Sequence, residues 1–507
     1  FAKFGDSEIL HEIACRSVVI TTGTFLNGLC HEGKTQTVAA RHGDVTVTGI
    51  ADFLKDLGVH IRRFKTGTTP RIKLSSVNLD LTEEMPSEPE AGPISFLHDR
   101  TFETRPLLPT WQTHTCAQTH DLLRDNLSQS AMYGGMIEGV GPRYCPSIED
   151  KVVRFSEKNS HPIFLEQEMW DDESVYVQGF SSSMPGDVQL SALKTISGLE
   201  KVEMIRPGYA VEYDMADPMQ LRPTLMSKLI DGLFLAGQIN GTSGYEEAAG
   251  QGMVAGINAA RFATDESEII FPRDNSFIGV MIDDLVTKGV EDPYRMLTAR
   301  AEHRLVLRHD NADQRLTPIS IELGIASETR RTRFGSKMEL LAKTRERLDS
   351  TYITQTQNDK LVELEMPTVR NRASLFELLK RPGMSLDYLQ DRSTELGLDL
   401  SDLPEKTEDF GSISRQIREQ VEISAVYDGY LKKQLDEVAQ AQRLEGLPIP
   451  ASFDFHALRG LSYESQEKLT RVQPATVGQA SRVPGVRPAD IALLIGHLRQ
   501  KENAPRS

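Results

Sequence analysis

The residues best suited to covalent chemistry lie in one short run, Gly139-Val-Gly-Pro-Arg-Tyr-Cys-Pro-Ser-Ile-Glu-Asp-Lys-Val-Val-Arg-Phe155. Pro146 suits the first turn of a helix, and Ile148, Val152 and Phe155 then recur on one helical face. The pattern predicts a helix with Cys145 as its N-cap. There the positive end of the helix dipole and nearby Arg143 favour thiolate over thiol, while Glu149 and Asp150 partly oppose it. A free cysteine titrates at about 8.5, so a modest depression makes a nucleophile near neutral pH. The competing reading of a lone cysteine is a small buried hydrophobe. Cys15, Cys30 and Cys116 lack this setting and are read as structural.

A second run, from Gly232 to Gly256, is built for close approach to a ligand. Leu233 to Ala236 predicts a short apolar strand, and Gly237 to Gly244 a loop. From Glu246 a helix rich in small residues follows, able to lie tight against a sheet. Its N-terminus offers free N–H groups to an anion, such as a flavin's pyrophosphate, or to a pyrimidine carbonyl. A glycine-rich turn used only for packing has the same composition. Gly250-Gln-Gly252 sits inside that helix, and no GxGxxG joins a strand to a helix anywhere in the chain. No HExxH, Walker A, paired-histidine or Ser-His-Asp signature stands out. His114 and His120 flank Thr115 and read either as substrate contacts or as surface histidines.

These runs need elements to hold them. Glu8 to Cys15 reads as a strand, and Ser17 to Thr22 as a buried one closing in the Gly23-Thr24 turn. Ile50 to Leu57 has helical spacing, Val59 to Phe64 is strand-like, and residues 66 to 112 read as loops with short strands. His120 to Leu127 predicts a helix; Val202 to Tyr213 and Leu229 to Ala236 predict strands. A long helical pattern starts near Asp283, and Met338, Leu340, Leu341 and Leu348 mark an amphipathic helix. Residues 381 to 410 are acidic and read as a hinge or surface loop. The last hundred residues repeat short helical patterns punctuated by Gly and Pro.

At 507 residues the chain is too long for one core, and two to four domains are expected. A hydrophobic content of 39% with 26% charged residues is ordinary for a globular protein, and no run of eighteen apolar residues could span a membrane. Four scattered cysteines without a CxxC exclude a sequence-local zinc knuckle and fit a reducing, cytoplasmic compartment. The net charge of −16 argues against general nucleic-acid binding. From His456 onward, however, eight Lys/Arg stand against four acids, a local excess of four, on what is either a binding surface or a solvated face.

At these motifs the sequence resembles the MnmG/GidA family. Besides the two runs above, Thr21-Thr-Gly-Thr-Phe-Leu, Lys65-Thr-Gly-Thr and Arg206-Pro-Gly-Tyr-Ala-Val-Glu-Tyr-Asp match, as do Pro293-Tyr-Arg-Met-Leu-Thr-Ala-Arg-Ala-Glu and Arg308-His-Asp-Asn-Ala-Asp. Tyr427-Asp-Gly-Tyr-Leu and Gly478-Gln-Ala-Ser-Arg-Val-Pro-Gly-Val complete the set, so the resemblance covers essentially the whole chain. It implies an α/β plus α architecture: a two-part, Rossmann-like FAD-binding domain with an inserted domain, then an all-helical C-terminal domain. The expected boundaries are 1–58 and 201–268 for the FAD-binding parts and 59–200 for the insert. A helical linker region would span 269–410, and a tRNA- or partner-binding domain 411–507.

The resemblance further implies a flavoenzyme that uses FAD, NADH and methylene-tetrahydrofolate. Acting with the GTPase MnmE, it places an aminomethyl or carboxymethylaminomethyl group on C5 of the tRNA wobble uridine. It implies a homodimer, Cys145 as one of two catalytic cysteines, and FAD contacts from Gly23, Thr24, Gly237, Gln238 and Asn240. NAD contacts would come from the stretch of Gly141, Pro142, Arg143, Tyr144, Pro146, Ser147, Ile148, Glu149, Asp150, Lys151, Arg154 and Phe155. The family's GxGxxG turn and its other cysteine are expected upstream of Phe1, so the chain reads as an N-terminally incomplete member. Two local departures are Val47, where a serine usually contacts FAD, and Cys116, where an asparagine is common. The alternatives are a folate- and FAD-dependent tRNA uridine methyltransferase, which lacks the long helical half, and a non-catalytic tRNA- or partner-binding remnant.

Overall fold

The computed structural model describes residues 2–3, 10–11, 13–88, 92–100, 107–143 and 146–502. Its first half is α/β and its second half almost wholly helical. Val18–Ile20 pairs in parallel with Leu233–Leu235, the only parallel strand pair among the described residues. Against this pair packs the long helix Tyr245–Ala263, whose Val254, Ala255 and Ala259 are buried. Small side chains there let helix and strands approach closely, as the sequence pattern predicts. Val18 is 45% exposed, so the strand expected to be buried is only half covered, having just one neighbour among the described residues. Of the strand expected over Glu8 to Cys15, Leu10–His11 is seen, paired with Ala2–Lys3, and Glu8, Ile9 and Glu12 lie outside the described residues.

Two antiparallel sheets form the remainder of the first half. In the four-stranded sheet Thr35–Val38, Leu29–Glu32, Tyr209–Ala216 and Ile61–Thr68 lie side by side in that order. Tyr209–Ala216 is buried along nearly its whole length between its two neighbours, and its acids are buried with partners, Glu212 against His31 and Asp214 against Arg63. The six-stranded sheet runs Met204–Arg206, Arg71–Lys73, Ser174–Gln178, Pro162–Gln167, Thr110–His114, Glu83–Met85. It shares a core with helices Ala117–Asp125, Ile148–Arg154 and Gly186–Leu193, centred on Ile72, Ile148, Ile163 and Val177.

The helical half has two cores. One joins the 23-residue helix Glu328–Ser350 to Leu375–Leu379 and Ile413–Val426. The segment 381–410, expected as a hinge or surface loop, belongs to this core: it contains the helix Leu386–Asp391, and Leu386, Leu389, Leu396, Leu400 and Leu403 are buried. Its acids misled the reading because Asp387 pairs with Arg418, which also donates to the Pro404 carbonyl at 2.6 Å. The boundary expected at 410 thus falls inside one core, since Ile417, Val421 and Ala425 complete it. The second core packs Leu469, Val477 and Leu494, from Tyr463–Val472, Val477–Arg482 and Pro488–Glu502, around Phe455 of the preceding loop. It docks on the α/β half through Arg482, which donates to Asp283 at 2.7 and 2.9 Å and also pairs with Glu445. Lys228 reinforces this joint by donating to the carbonyls of Met219 and Val472. Among the described residues no helix is long and apolar enough to cross a membrane.

Candidate functional site

Two glycine-rich turns meet at the C-terminal ends of the parallel strands, the position where open α/β sheets bind ligands. After Ile20, Gly23–Phe25 forms a tight 3-10 turn with Gly23 at φ +57° and Thr24 at its centre. After Leu235, Gly237–Asn240 forms a second, with Gly237 at φ +88°. A Cβ on Gly23 would stand 3.7 Å from Gln238 Oε1, so the structure brings these two predicted residues into contact. A buried network fixes the second turn. The Gly237 amide and Asn240 Nδ2 both donate to Gln251 Oε1, while Gln251 Nε2 donates to Thr242 Oγ1 and Thr242 Oγ1 to the Gly237 carbonyl. Gln251 was missed in the sequence, where its only signal is a fully polar side chain inside a helix of small residues.

Around these turns Thr22 Oγ1 and Asn240 Oδ1 are buried without hydrogen-bond partners among the described residues, and Tyr213 OH has only the Gln238 side chain beside it. Burial pushes Tyr213 up to about 12, and the nearby Gln238 amide only partly opposes it. Buried orphan polar atoms are costly, and each calls for a bound group, a water or local strain to account for it. The departing residue Val47 is held beside the first turn: it exchanges backbone hydrogen bonds with Phe25 and Asn27, and Thr46 Oγ1 receives the Gly28 amide.

The cysteine run lies one strand away. Val140 forms a parallel bridge to Phe64, and the Lys65 amide donates to the Val140 carbonyl at 3.0 Å. Glu212, on the neighbouring strand, accepts from the amides of Glu138 and Gly139 at 2.9 and 2.7 Å and contacts His31 Nε2 at 2.8 Å. Burial opposes its charge, but His31, the Gly139 amide, Arg63 and the Glu138 amide together hold it below the ordinary carboxylate range. Neither His31 nor Glu212 was singled out by the sequence, although Glu212 lies in the matched Arg206–Asp214 motif.

The helix here is Ile148–Arg154, and its N-cap is Ser147, whose hydroxyl accepts from the Asp150 amide. The expectation of Cys145 as N-cap is therefore corrected. Serine is the stronger cap because its oxygen accepts a backbone N–H well, and Pro146 precedes the helix instead of opening it. Cys145 and Tyr144 themselves lie outside the described residues. The predicted single face also divides, with Ile148 and Val152 buried and Phe155 40% exposed beyond the last turn.

The remaining predicted residues separate into two groups. Gly141, Pro142, Arg143, Asp150 and Arg154 line a cleft of about 460 Å³ together with Lys65 and Asp292. Arg143 reaches Asp292 at 3.3 Å, and Arg154 reaches Asp150 at 3.5 Å. Glu149 and Lys151 turn inward. Glu149 Oε1 accepts from the Ser183 amide and from the hydroxyls of Ser130, Ser182 and Ser183, and Lys151 donates to the Gly179 carbonyl. Of the cysteines read as structural, Cys30 is buried against the Ala39 carbonyl and pushed up to about 11 by burial. Cys15 is exposed. Cys116 is half-buried; burial opposes its thiolate, but hydrogen bonds with Thr119, to the Gln118 amide and to Thr195 pull it below the usual thiol value. Of the eight tail cations, Lys468, Arg482 and Arg487 are already paired with Glu464, Asp283 and Asp490.

The family model described as "Glucose inhibited division protein A" matches residues 7–267. Models for the "tRNA modifying enzyme MnmG/GidA" C-terminal helical domain and helical bundle match 328–435 and 437–507. The chain is similar to the tRNA uridine 5-carboxymethylaminomethyl modification enzyme MnmG of Exiguobacterium sibiricum, 46% identical over 97% of this chain and 76% of the relative. The enzyme of the same description from Syntrophotalea carbinolica is 45% identical over 96% and 76%. In three dimensions it is similar to Aquifex aeolicus GidA in two crystal forms. Their TM-scores are 0.83 and 0.82 at 38% and 39% identity, covering 95% of this chain and 74% and 76% of those. Agreement in sequence, in the successive matched regions and in the fold that carries the two turns has one reading: this chain belongs to the MnmG/GidA family.

Proposed function

We propose that this chain modifies tRNA at the wobble uridine, adding an aminomethyl or carboxymethylaminomethyl group at C5 with FAD, NADH and methylene-tetrahydrofolate, in concert with the GTPase MnmE. The observation that supports it most is the position of Phe64. A Cβ on Gly241 would lie 3.2 Å from its ring, and a Cβ on Gly139 2.8 Å from its carbonyl carbon. The ligand-facing turn and the arm that leads to Cys145 are therefore separated by one residue's thickness. The unpartnered polar atoms of Thr22 and Asn240 suit the polar edge of a flavin ring, and the positive φ of Gly23 and Gly237 sets the course of the two turns that would flank it. When bound, the flavin supplies redox chemistry for transfer of the one-carbon unit.

The protein's own contribution is nucleophilic and positional. C5 of uracil is a poor nucleophile until a thiolate adds at C6, and Cys145 is assigned that addition. Glu212 and the Val140 bridge hold the arm that carries it. The cleft beside Arg143, Asp150 and Arg154 is assigned to NADH, and residues from about 411 to tRNA or MnmE. A cytoplasmic homodimer completes the reading. The test is nucleoside mass spectrometry of tRNA from cells carrying Cys145→Ser. Serine supplies almost no alkoxide at neutral pH, so modification should vanish while thermal stability is kept. Modification near the wild-type level would refute the assignment. A 5-methyluridine product would instead favour the methyltransferase alternative, against which the helical second half already argues.

A further inference from the structure

Lys65 is buried, 8% exposed, in the wall of the cleft beneath the Gly139–Arg143 arm. Among the described residues its ammonium has one polar contact, the Met132 sulfur at 3.3 Å, which is a weak acceptor. The two acids that share the cleft are engaged elsewhere, Asp292 by Arg143 and Asp150 by Arg154. A buried charge without a counter-ion is strongly unfavourable, and an alkyl side chain in its place would ordinarily stabilise the fold. The surroundings also hold the side chain in place: a Cβ on Gly141 would stand only 2.5 Å from Lys65 Cε, so the glycine leaves the room the lysine occupies. On its other side Lys65 lines a smaller polar recess with Thr66, Gly67, Ser147 and Ser181.

We propose that Lys65 is the anion anchor of this cleft, its Nζ donating to a phosphate oxygen of the bound ligand. Lysine is suited to this as a compact point charge that needs no fixed fork geometry. The proposal rests on reading the cleft as nucleotide-facing. The phosphate could belong to a nicotinamide dinucleotide or to an RNA backbone, and one experiment separates these sources.

Lys65→Met and the wild-type chain would be titrated with inorganic pyrophosphate, NADH and an RNA anticodon stem-loop, with unfolding temperature recorded for each free protein. The free variant should unfold at the wild-type temperature or above, because it loses an unpaired charge. Pyrophosphate affinity should fall at least tenfold. A matching loss for NADH alone assigns the phosphate to the dinucleotide, and a loss for RNA alone assigns it to the nucleic acid; either supports the anchor. Wild-type affinity of the variant for all three probes overturns the anchor and leaves the cleft reading standing. Failure of the wild-type chain to bind any probe overturns both. Should Lys65→Met fail to fold, Lys65→Gln, neutral and of similar length, gives the same comparison.

Discussion

Replacing Glu212 tests how the cysteine arm is held. Its carboxylate, 3% exposed, receives the Glu138 and Gly139 amides and contacts His31, with Arg63 at 3.9 Å. In Glu212→Gln the amide oxygen still accepts both backbone N–H groups, and His31 can present an unprotonated Nε2 to the new NH2. The loss is then one charge-assisted interaction, about 1.5–3 kcal/mol. In Glu212→Leu all three donors lose their acceptor at about 1–3 kcal/mol each, which repacking would limit to about 4–5 kcal/mol in all. Because the carboxyl is held below its ordinary range, its contribution is complete above the unfolded value of about 4.3 and is lost as pH falls through the lower folded value. The stability gap between wild type and Glu212→Gln should therefore be flat from neutral pH to the upper fives and close on acidification. Urea unfolding across pH, with hydrogen exchange at the Gly139 amide, measures both effects. Equal destabilisation by Gln and Leu, or unchanged exchange at Gly139 in the leucine variant, would refute this account.

Arg482→Met should release the C-terminal helices from the α/β half. With Asp283 still paired to Arg273 at 3.2 Å, the cost is about 2–4 kcal/mol, seen in calorimetry as an earlier, separate transition. Gly241→Ala would add a Cβ at φ +78° within 2.7 Å of Met215 and Val290, and should destabilise by about 2–4 kcal/mol in chemical denaturation. Burial pulls Lys228 down to about 8, so its positive charge disfavours the folded state below that value. Wild-type stability should rise relative to Lys228→Met as pH climbs from 8 toward the unfolded value of about 10.4; a flat difference would show that the ammonium is not desolvated.

Much of this fold was legible in the chain. The run Leu233 to Gly244 announces a short strand and a glycine turn, and the structure has both, Leu233–Leu235 and Gly237–Asn240. Met338, Leu340, Leu341 and Leu348 announce the C-terminal part of the helix Glu328–Ser350, and its first turns carry no such spacing. Single-sequence patterns fail where a tertiary partner changes a residue's meaning. The acids of 381–410 read as solvent-facing because Arg418, which neutralises Asp387, lies on another helix. The helix start near Cys145 was misplaced by two residues because proline and serine compete for the same role, and the serine's bond to the Asp150 amide decides it. Glu212 and His31 come from strands far apart in sequence, and only the sheet register brings them together.

The parallel pairing of Val18–Ile20 with Leu233–Leu235 has a consequence in time. The second strand leaves the ribosome only after roughly two hundred further residues have been made, on the order of 10–40 s at ordinary elongation rates. Throughout that interval the strand Leu233–Leu235 and the Gly237 turn are not there to meet the first strand and the Gly23 turn. The intervening antiparallel sheets, whose hairpins Pro162–Gln167/Ser174–Gln178 and Leu29–Glu32/Thr35–Val38 close locally, can form during the wait. Joining of the Gly23 and Gly237 turns therefore waits on synthesis through Leu235 and cannot precede the two antiparallel sheets made in between.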